Sequence, residues 1–292
     1  MKNIRIILFA AVAALSFISC QKELKPSHAI TIEAGIGSMS RATTAGNTTT
    51  FVTGDILSVY AWMGSKTAVS TPLVVNGVEN TLGTDGKWIP ARQMLWRDVT
   101  SAHYFLGIYP KRTVTNFTAD PFTLNPADYE ASDLLVATNL TGLKASDNPV
   151  TLNFDHTVAK LFVNLSFRDQ WTTAPTVTAV TVKARKTGTV DYLTKTITAS
   201  GTETAAPIAL SKIDNAAWSG LQIPQSGVQT IIITIEGNDF VFTHSSDIPL
   251  VGGQYTTVNL NVGRNTIELA SVGVSNWAAG TTIDDGDAQI VD

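Results

Sequence analysis

Short runs in which every second residue is apolar recur along nearly the whole chain. Leu57, Val59 and Ala61 alternate with Ser58 and Tyr60. Leu161, Val163, Leu165 and Phe167 alternate with Phe162, Asn164 and Ser166, and Val258, Leu260 and Val262 with Asn259 and Asn261. Val180 and Val182 share a face, as do Ile231, Ile233 and Ile235. A period of two is the pattern of a half-buried strand. The unbroken apolar run Tyr104 to Tyr109, closed by Pro110, predicts a strand covered on both faces. Asn76-Gly77, Asp85-Gly86 and Glu236-Gly237-Asn238-Asp239 are turn signals between runs. Strands recurring every 8–12 residues or so, with turn residues between them, predict an all-β chain of sandwiches. Only Gln93 to Val99 has the pattern of a helical turn. Hydrophobic residues make up 44% and charged residues 15%, so the chain folds, and its wealth of Thr, Val, Ala and Ile favours strands.

At 292 residues the chain accommodates two domains of ordinary size or one large β domain. Residues 1–19 have the layout of a secretory signal, with Lys2 and Arg5 before the apolar stretch Ile6 to Ile18. The stretch is too short for a stable membrane span. It ends at Phe17-Ile18-Ser19-Cys20, which resembles a bacterial lipobox with Phe17 in the usual place of Leu. Cys20 is the single cysteine, so no intrachain disulfide forms, and the expectation is a lipid anchor there. Residues 20–41 are then a lipidated pro-segment. Within it His28 to Ile36 reads as a strand, with Ile30, Ile32, Ala34 and Ile36 on one face and Thr31 and Glu33 on the other. Residues 37–50, rich in Ser, Thr, Ala, Gly and Asn, read as an exposed loop. The stretch 141–149, with Gly142, Asp147, Asn148 and Pro149, reads as a linker. That predicts an N-terminal sandwich over 42–147 and a C-terminal sandwich over 148–292.

Known chemistries are hard to place on this sequence. The net charge of −4 offers no electrostatic footprint for nucleic acid. His28, His103, His156 and His244 stand in no metal-ligand spacing with each other or with Cys20. No nucleophile elbow and no phosphate-binding loop is present. Asp155-His156 is the one suggestive polar pair, read as orienting a strand end rather than as an acid–base pair. Asp284-Asp285-Gly286-Asp287 lacks the later Glu of a calcium loop and reads as a solvated tail. The six tryptophans are scattered, which suits packing better than sugar stacking. The expectation is no enzyme and no cofactor.

Several short motifs, taken in order, point to one family. They are Ser40-Arg41-Ala42, Phe51-x-x-Gly54-Asp55-x-x-x-Val59-Tyr60-Ala61, Gly86-Lys87-Trp88 and Ile108-Tyr109-Pro110. There follow Ser132-Asp133-Leu134-Leu135-x-Ala137, Leu152-x-Phe154-x-His156-x-x-Ala159-Lys160-Leu161, Ile223-Pro224-Gln225, Gly252-Gly253-x-Tyr255 and Asn276-Trp277. With Cys20 before a nearby lysine, this series resembles the fimbrillin family of Bacteroidetes, the Mfa-like subunits of type V pili. The resemblance implies two tandem transthyretin-like Greek-key β-sandwich domains. It implies export as an outer-membrane lipoprotein lipidated at Cys20, and cleavage between Arg41 and Ala42. The strand Ile30, Ile32, Ala34, Ile36 would then be displaced and a neighbouring subunit's C-terminal strand would replace it, building a head-to-tail polymer on the cell surface. The donor is either the tail, with Ile283 and Ile290, or the upstream run Ile267, Leu269, Val272 and Val274. A tip or anchor subunit, or a monomeric surface adhesin for glycan or host protein, is the alternative expectation.

Overall fold

The computed structural model describes residues 28–37, 50–264 and 266–276. In chain order the strands of the first part are β1 (Ile32–Ile36), β2 (Ile56–Met63), β3 (Val75–Leu82), β4 (Trp88–Pro90), β5 (His103–Tyr109) and β6 (Asp120–Thr123). A short helix, α1 (Tyr129–Ser132), precedes β7 (Leu135–Leu143) and β8 (Val150–His156). The second part holds β9 (Ala159–Phe167), β10 (Val177–Ala184), β11 (Thr187–Asp191), β12 (Thr196–Ala199), β13 (Ala206–Ala209) and β14 (Ser211–Lys212). It closes with β15 (Ala217–Gln222), β16 (Thr230–Ile235), β17 (Asn238–Thr243), β18 (Gln254–Val262) and β19 (Ile267–Asn276). The all-β reading therefore holds.

The first sheet has the order β1-β8-β7-β5-β2-β3-β4. It is rolled rather than flat. Beyond β4 the chain returns to β1, where Ile30 N–H donates to Met94 O at 2.9 Å and Trp96 N–H to His28 O at 2.9 Å. Strand β2 shows why both faces are apolar. Leu57, Val59 and Ala61 face a core with Phe105, Leu135, Leu152 and Phe154, while Tyr60 and Trp62 face another with Leu106, Ile108 and Val136. The Tyr104–Tyr109 run lies in β5, buried along almost its whole length, as expected of a doubly covered strand.

Sheets β14-β15-β9-β18-β19 and β13-β10-β16-β17 enclose the second core. Leu161, Val163, Val180, Val182, Ile231, Ile233, Val258 and Leu260 belong to it, each buried. Glu236 and Gly237 both have positive φ, 50° and 83°, the geometry of the tight hairpin between β16 and β17.

A third sheet joins the two parts, because β6 pairs with β11 in the order β12-β11-β6. Its Phe122, Val190 and Ile197 pack in one cluster with Tyr60, Ile108 and the core of the second part. Tyr192, fully buried, donates its hydroxyl to Asp120 at 2.7 Å, and Arg112 reaches the same carboxylate at 3.0 Å. Burial holds the Tyr192 hydroxyl well above the usual phenol range, so it stays a neutral donor.

Four local readings are corrected. Asn76-Gly77 is not a turn between strands but a kink inside β3, where Gly77 has φ +56° beside a register shift against β2. The stretch 141–149 is not a free linker: β7 runs to Leu143 and a 3-10 turn spans Ala145–Asp147. Strand β8, beyond the boundary expected at 147, pairs with β1 and β7 of the first sheet. Gln93–Val99 forms no helical turn, and Ala29 bridges to Leu95 instead.

Candidate functional site

Strand β1 occupies a seat at one end of the first sheet. It runs parallel to β8, with Ile32 opposite Val150, Ala34 opposite Leu152 and Ile36 opposite Phe154. Only residues 28–30 bond on the other side, to 94–96. The position is therefore terminal, not the central one that strand displacement suggests at first. Ile30 and Ile32 are buried, at 2% and 6% exposure, among Val150, Leu152, Met94 and Trp96. Ala34 and Ile36 are half-buried against the same cluster, and Thr31 and Glu33 face out. Burying two isoleucines is worth roughly 3–6 kcal/mol in all. Asn148 fixes the entry: its Oδ1 accepts from Thr31 N–H and its Nδ2 donates to Thr31 Oγ1, each at 2.9 Å.

The other end of the seat is closed by aromatic rings. Phe51 meets Trp88, Tyr109 and Phe154 edge-on, with centroids 5.1, 5.3 and 5.4 Å away. Just after it, Asp55 Oδ2 accepts from Val52 N–H at 2.7 Å and Oδ1 from the Tyr109 hydroxyl at 3.1 Å, so the motif Phe51-x-x-Gly54-Asp55 anchors the chain where it re-enters the fold. Gly107 makes room for the Phe154 ring; a Cβ there would lie 2.6 Å from Phe154 Cζ. Sequence reasoning passed over Gly107 and Asn148. The signal for the first was a glycine inside an apolar strand, which marks a close approach. The second was hidden in a segment read as linker.

A second constellation gathers motif residues far apart in the chain. His156 Nδ1 and Asp133 Oδ1 are 2.7 Å apart with both side chains nearly buried, at 6% and 5% exposure. Lys160 follows on the next strand, 6% exposed, its ammonium 5.3 Å from the Tyr129 ring and 5.0 Å from the Phe162 ring. Burial lowers the Lys160 pKa, and the Asp133 charge opposes that. Thr157 N–H and Oγ1 both donate to Leu134 O, at 3.0 and 2.8 Å. Gly253 N–H donates to Val158 O at 3.0 Å, and a Cβ on Gly252 would collide with Thr157 O at 2.7 Å. The Ser132, His156 and Gly252 motifs thus meet where the chain passes from the first sheet to the second core. Asp155 is not His156's partner; it takes Lys195 Nζ at 2.6 Å.

A family described as fimbrillin-like matches residues 40–277, most of the chain. The chain belongs to the fimbrillin-like family. Membership makes it a structural protein of cell-surface fimbriae rather than an enzyme. The matched stretch begins after β1. Solved structures agree with the fold. A candidate cell-adhesion protein from Bacteroides uniformis is 19% identical, with TM-score 0.65, and the match covers 86% of this chain and 99% of that one. One from Bacteroides ovatus is 15% identical, with TM-score 0.66 over 87% and 99%. A fimbrial protein from Bacteroides vulgatus is 12% identical, with TM-score 0.53 over 86% and 99%. Comparison with curated proteins gave no match.

In this fimbrillin-like chain the upstream donor candidates lie within their own fold. Ile267 and Leu269 are buried in the second core, Val272 is partly buried and Val274 is 39% exposed. Strand β19 pairs along its length with β18, with a bulge at Ala270. Donating it would strip that ladder. Cys20, Arg41, Ala42, Ile283 and Ile290 lie outside the described residues. Among the described residues no three metal-ligating side chains converge, and no helix is long and apolar enough to cross a membrane.

Proposed function

We propose that the chain is a fimbrial subunit whose first strand is provisional. It is exported behind signal residues 1–19, lipidated at Cys20 and cut between Arg41 and Ala42. Residues 28–36 then leave, and a strand from a neighbouring subunit fills the seat. The folded unit after the cut comprises a first part ending at His156 and a second beginning at Ala159.

The observation that carries this reading is how β1 is held. It has a full ladder on one side only, two backbone bonds on the other, and a buried apolar face. Its covalent link to the rest of the fold is the segment between Gly37 and Phe51, which contains Arg41. Once that link is cut, only non-covalent contacts retain the strand. The vacated seat leaves unpaired groups along β8, each costing about 1–3 kcal/mol if buried without a partner. A strand supplied by another chain restores the ladder and the apolar contacts, as in β-augmentation. Donor and seat are different surfaces, so the contact is head-to-tail and builds a filament instead of a closed dimer.

Digestion of the full chain with an arginine-specific protease tests the proposal. Wild type is expected to lose its first 41 residues and form detergent-resistant ladders. Arg41→Ala is expected to keep its fold by circular dichroism and remain monomeric. Ladders from the uncut Arg41→Ala protein would refute the processing site. A clipped wild-type protein that stays monomeric and binds oligosaccharide would favour the adhesin.

A further inference from the structure

We propose that the cleft between β3 and the segment 92–95 binds a carboxylate carried on an apolar body. The cleft follows from how two neighbouring segments part. Strand β4 runs beside β3, and Ala91 N–H still donates to Glu79 O at 2.8 Å. Beyond that point the chain is drawn toward the first strand: Ile30 N–H donates to Met94 O, and Ala29 bridges to Leu95. Strand β3 meanwhile kinks at Gly77, where φ is +56°. The walls separate and enclose about 410 Å³, a volume within the usual span of small-molecule sites.

Its lining divides by chemistry. Val75, Val78 and Met94, all buried, make an apolar floor. Gln93 and Leu95 stand exposed at the rim. Arg92 Nη2 donates to Asn76 O at 2.9 Å, which ties one wall to the other and holds the guanidinium at the mouth. The rest of its planar fork has no partner among the described residues. Glu79, the acid of β3, is engaged by Lys111 at 2.9 Å, and no carboxylate among the described residues lines the cleft.

A guanidinium held in place takes a carboxylate with two parallel hydrogen bonds. Because Asn76 already fixes its position, less freedom is lost when the ligand arrives. A small hydrated anion would use the fork and gain nothing from the floor. An uncharged apolar molecule would use the floor and leave the fork idle. A carboxylate on an apolar body uses both, adding burial to a charge-assisted contact. A free organic acid and the apolar last residue of a peptide both present that group. The site does not depend on strand exchange.

Calorimetric titration of the full chain with N-acetyl-leucine, N-acetyl-leucinamide and acetate tests it. The acid is expected to bind, less tightly as salt rises, and the amide and acetate to bind about tenfold more weakly or worse. Arg92→Gln is expected to reduce the acid to the level of the amide, and Gln93→Trp to block the mouth. Both positions are exposed, and circular dichroism is expected to show an unchanged fold. Amide or acetate binding as tightly as the acid, undiminished binding by Arg92→Gln, or no binding of the acid would each overturn the inference. Octanoate and a short peptide ending in leucine then separate the sources. The tighter of the two names the natural ligand class, equal affinity shows that the carboxylate and its apolar body alone are read, and failure of both overturns the site.

Discussion

Asp155 and His156 are neighbours in the chain but serve different partners. The alternation of a strand sends them to opposite faces, so His156 meets buried Asp133 while Asp155 meets Lys195 near the surface. The energetic consequences differ accordingly. Asp133→Ala removes the buried carboxylate that His156 meets and takes a neighbouring charge from buried Lys160, and is expected to cost about 3–5 kcal/mol of stability. Asp155→Ala loses a pair whose carboxylate is 53% exposed and is expected to cost under about 1 kcal/mol. Urea denaturation of both variants decides the matter; equal losses would mean the junction pair is not the stronger contact. The sequence reading took Asp155-His156 as one pair orienting a strand end, whereas His156 meets Asp133 and Asp155 meets Lys195. It did not identify Asp133 as the partner, because the two stand 23 positions apart with the whole of β7 between them.

Among the elements, the hairpin β11–β12 links the second part to the first. It is held by backbone pairing of β11 with β6 and by Tyr192 on Asp120. Gly188 permits its close approach, since a Cβ there would lie 2.4 Å from Thr198 O. Gly188→Val is expected to force the hairpin apart at a cost of roughly 1–3 kcal/mol. Limited proteolysis would reveal it as earlier cutting within residues 187–199; unchanged protection would show that the hairpin tolerates the side chain. Strand identity was legible from alternation in β2, β9, β10, β16 and β18. The kink at Gly77 was misread because Asn-Gly favours left-handed backbone equally at a hairpin turn and at a bulge.

For the whole molecule the apolar clusters matter more than the linker. One cluster runs from Tyr60 and Ile108 of the first sheet through Phe122 and Tyr192 to Leu161 and Ile233 of the second part. Two parts sharing a core unfold together. Calorimetry of the full chain is expected to give a single cooperative transition; two resolved peaks would show that the parts are independent. Anchoring is a separate matter. Cys20→Ala is expected to release a soluble, folded precursor from the membrane fraction, because a lipid and not the fold would hold it there. Retention of that variant in the outer membrane would argue against lipidation.

Alternation and turn residues alone determined that this chain is β throughout and that residues 30–36 carry an apolar face, because period and composition act locally. The tertiary structure decided that this face covers a terminal seat beside β8. It also decided that β8 belongs to the first sheet, and that Asn148, Gly107 and Phe51 shape the seat. Those assignments depend on which strands become neighbours, and strand neighbours are chosen by contacts between residues distant in the chain, such as Gly107 with Phe154 and Thr31 with Asn148.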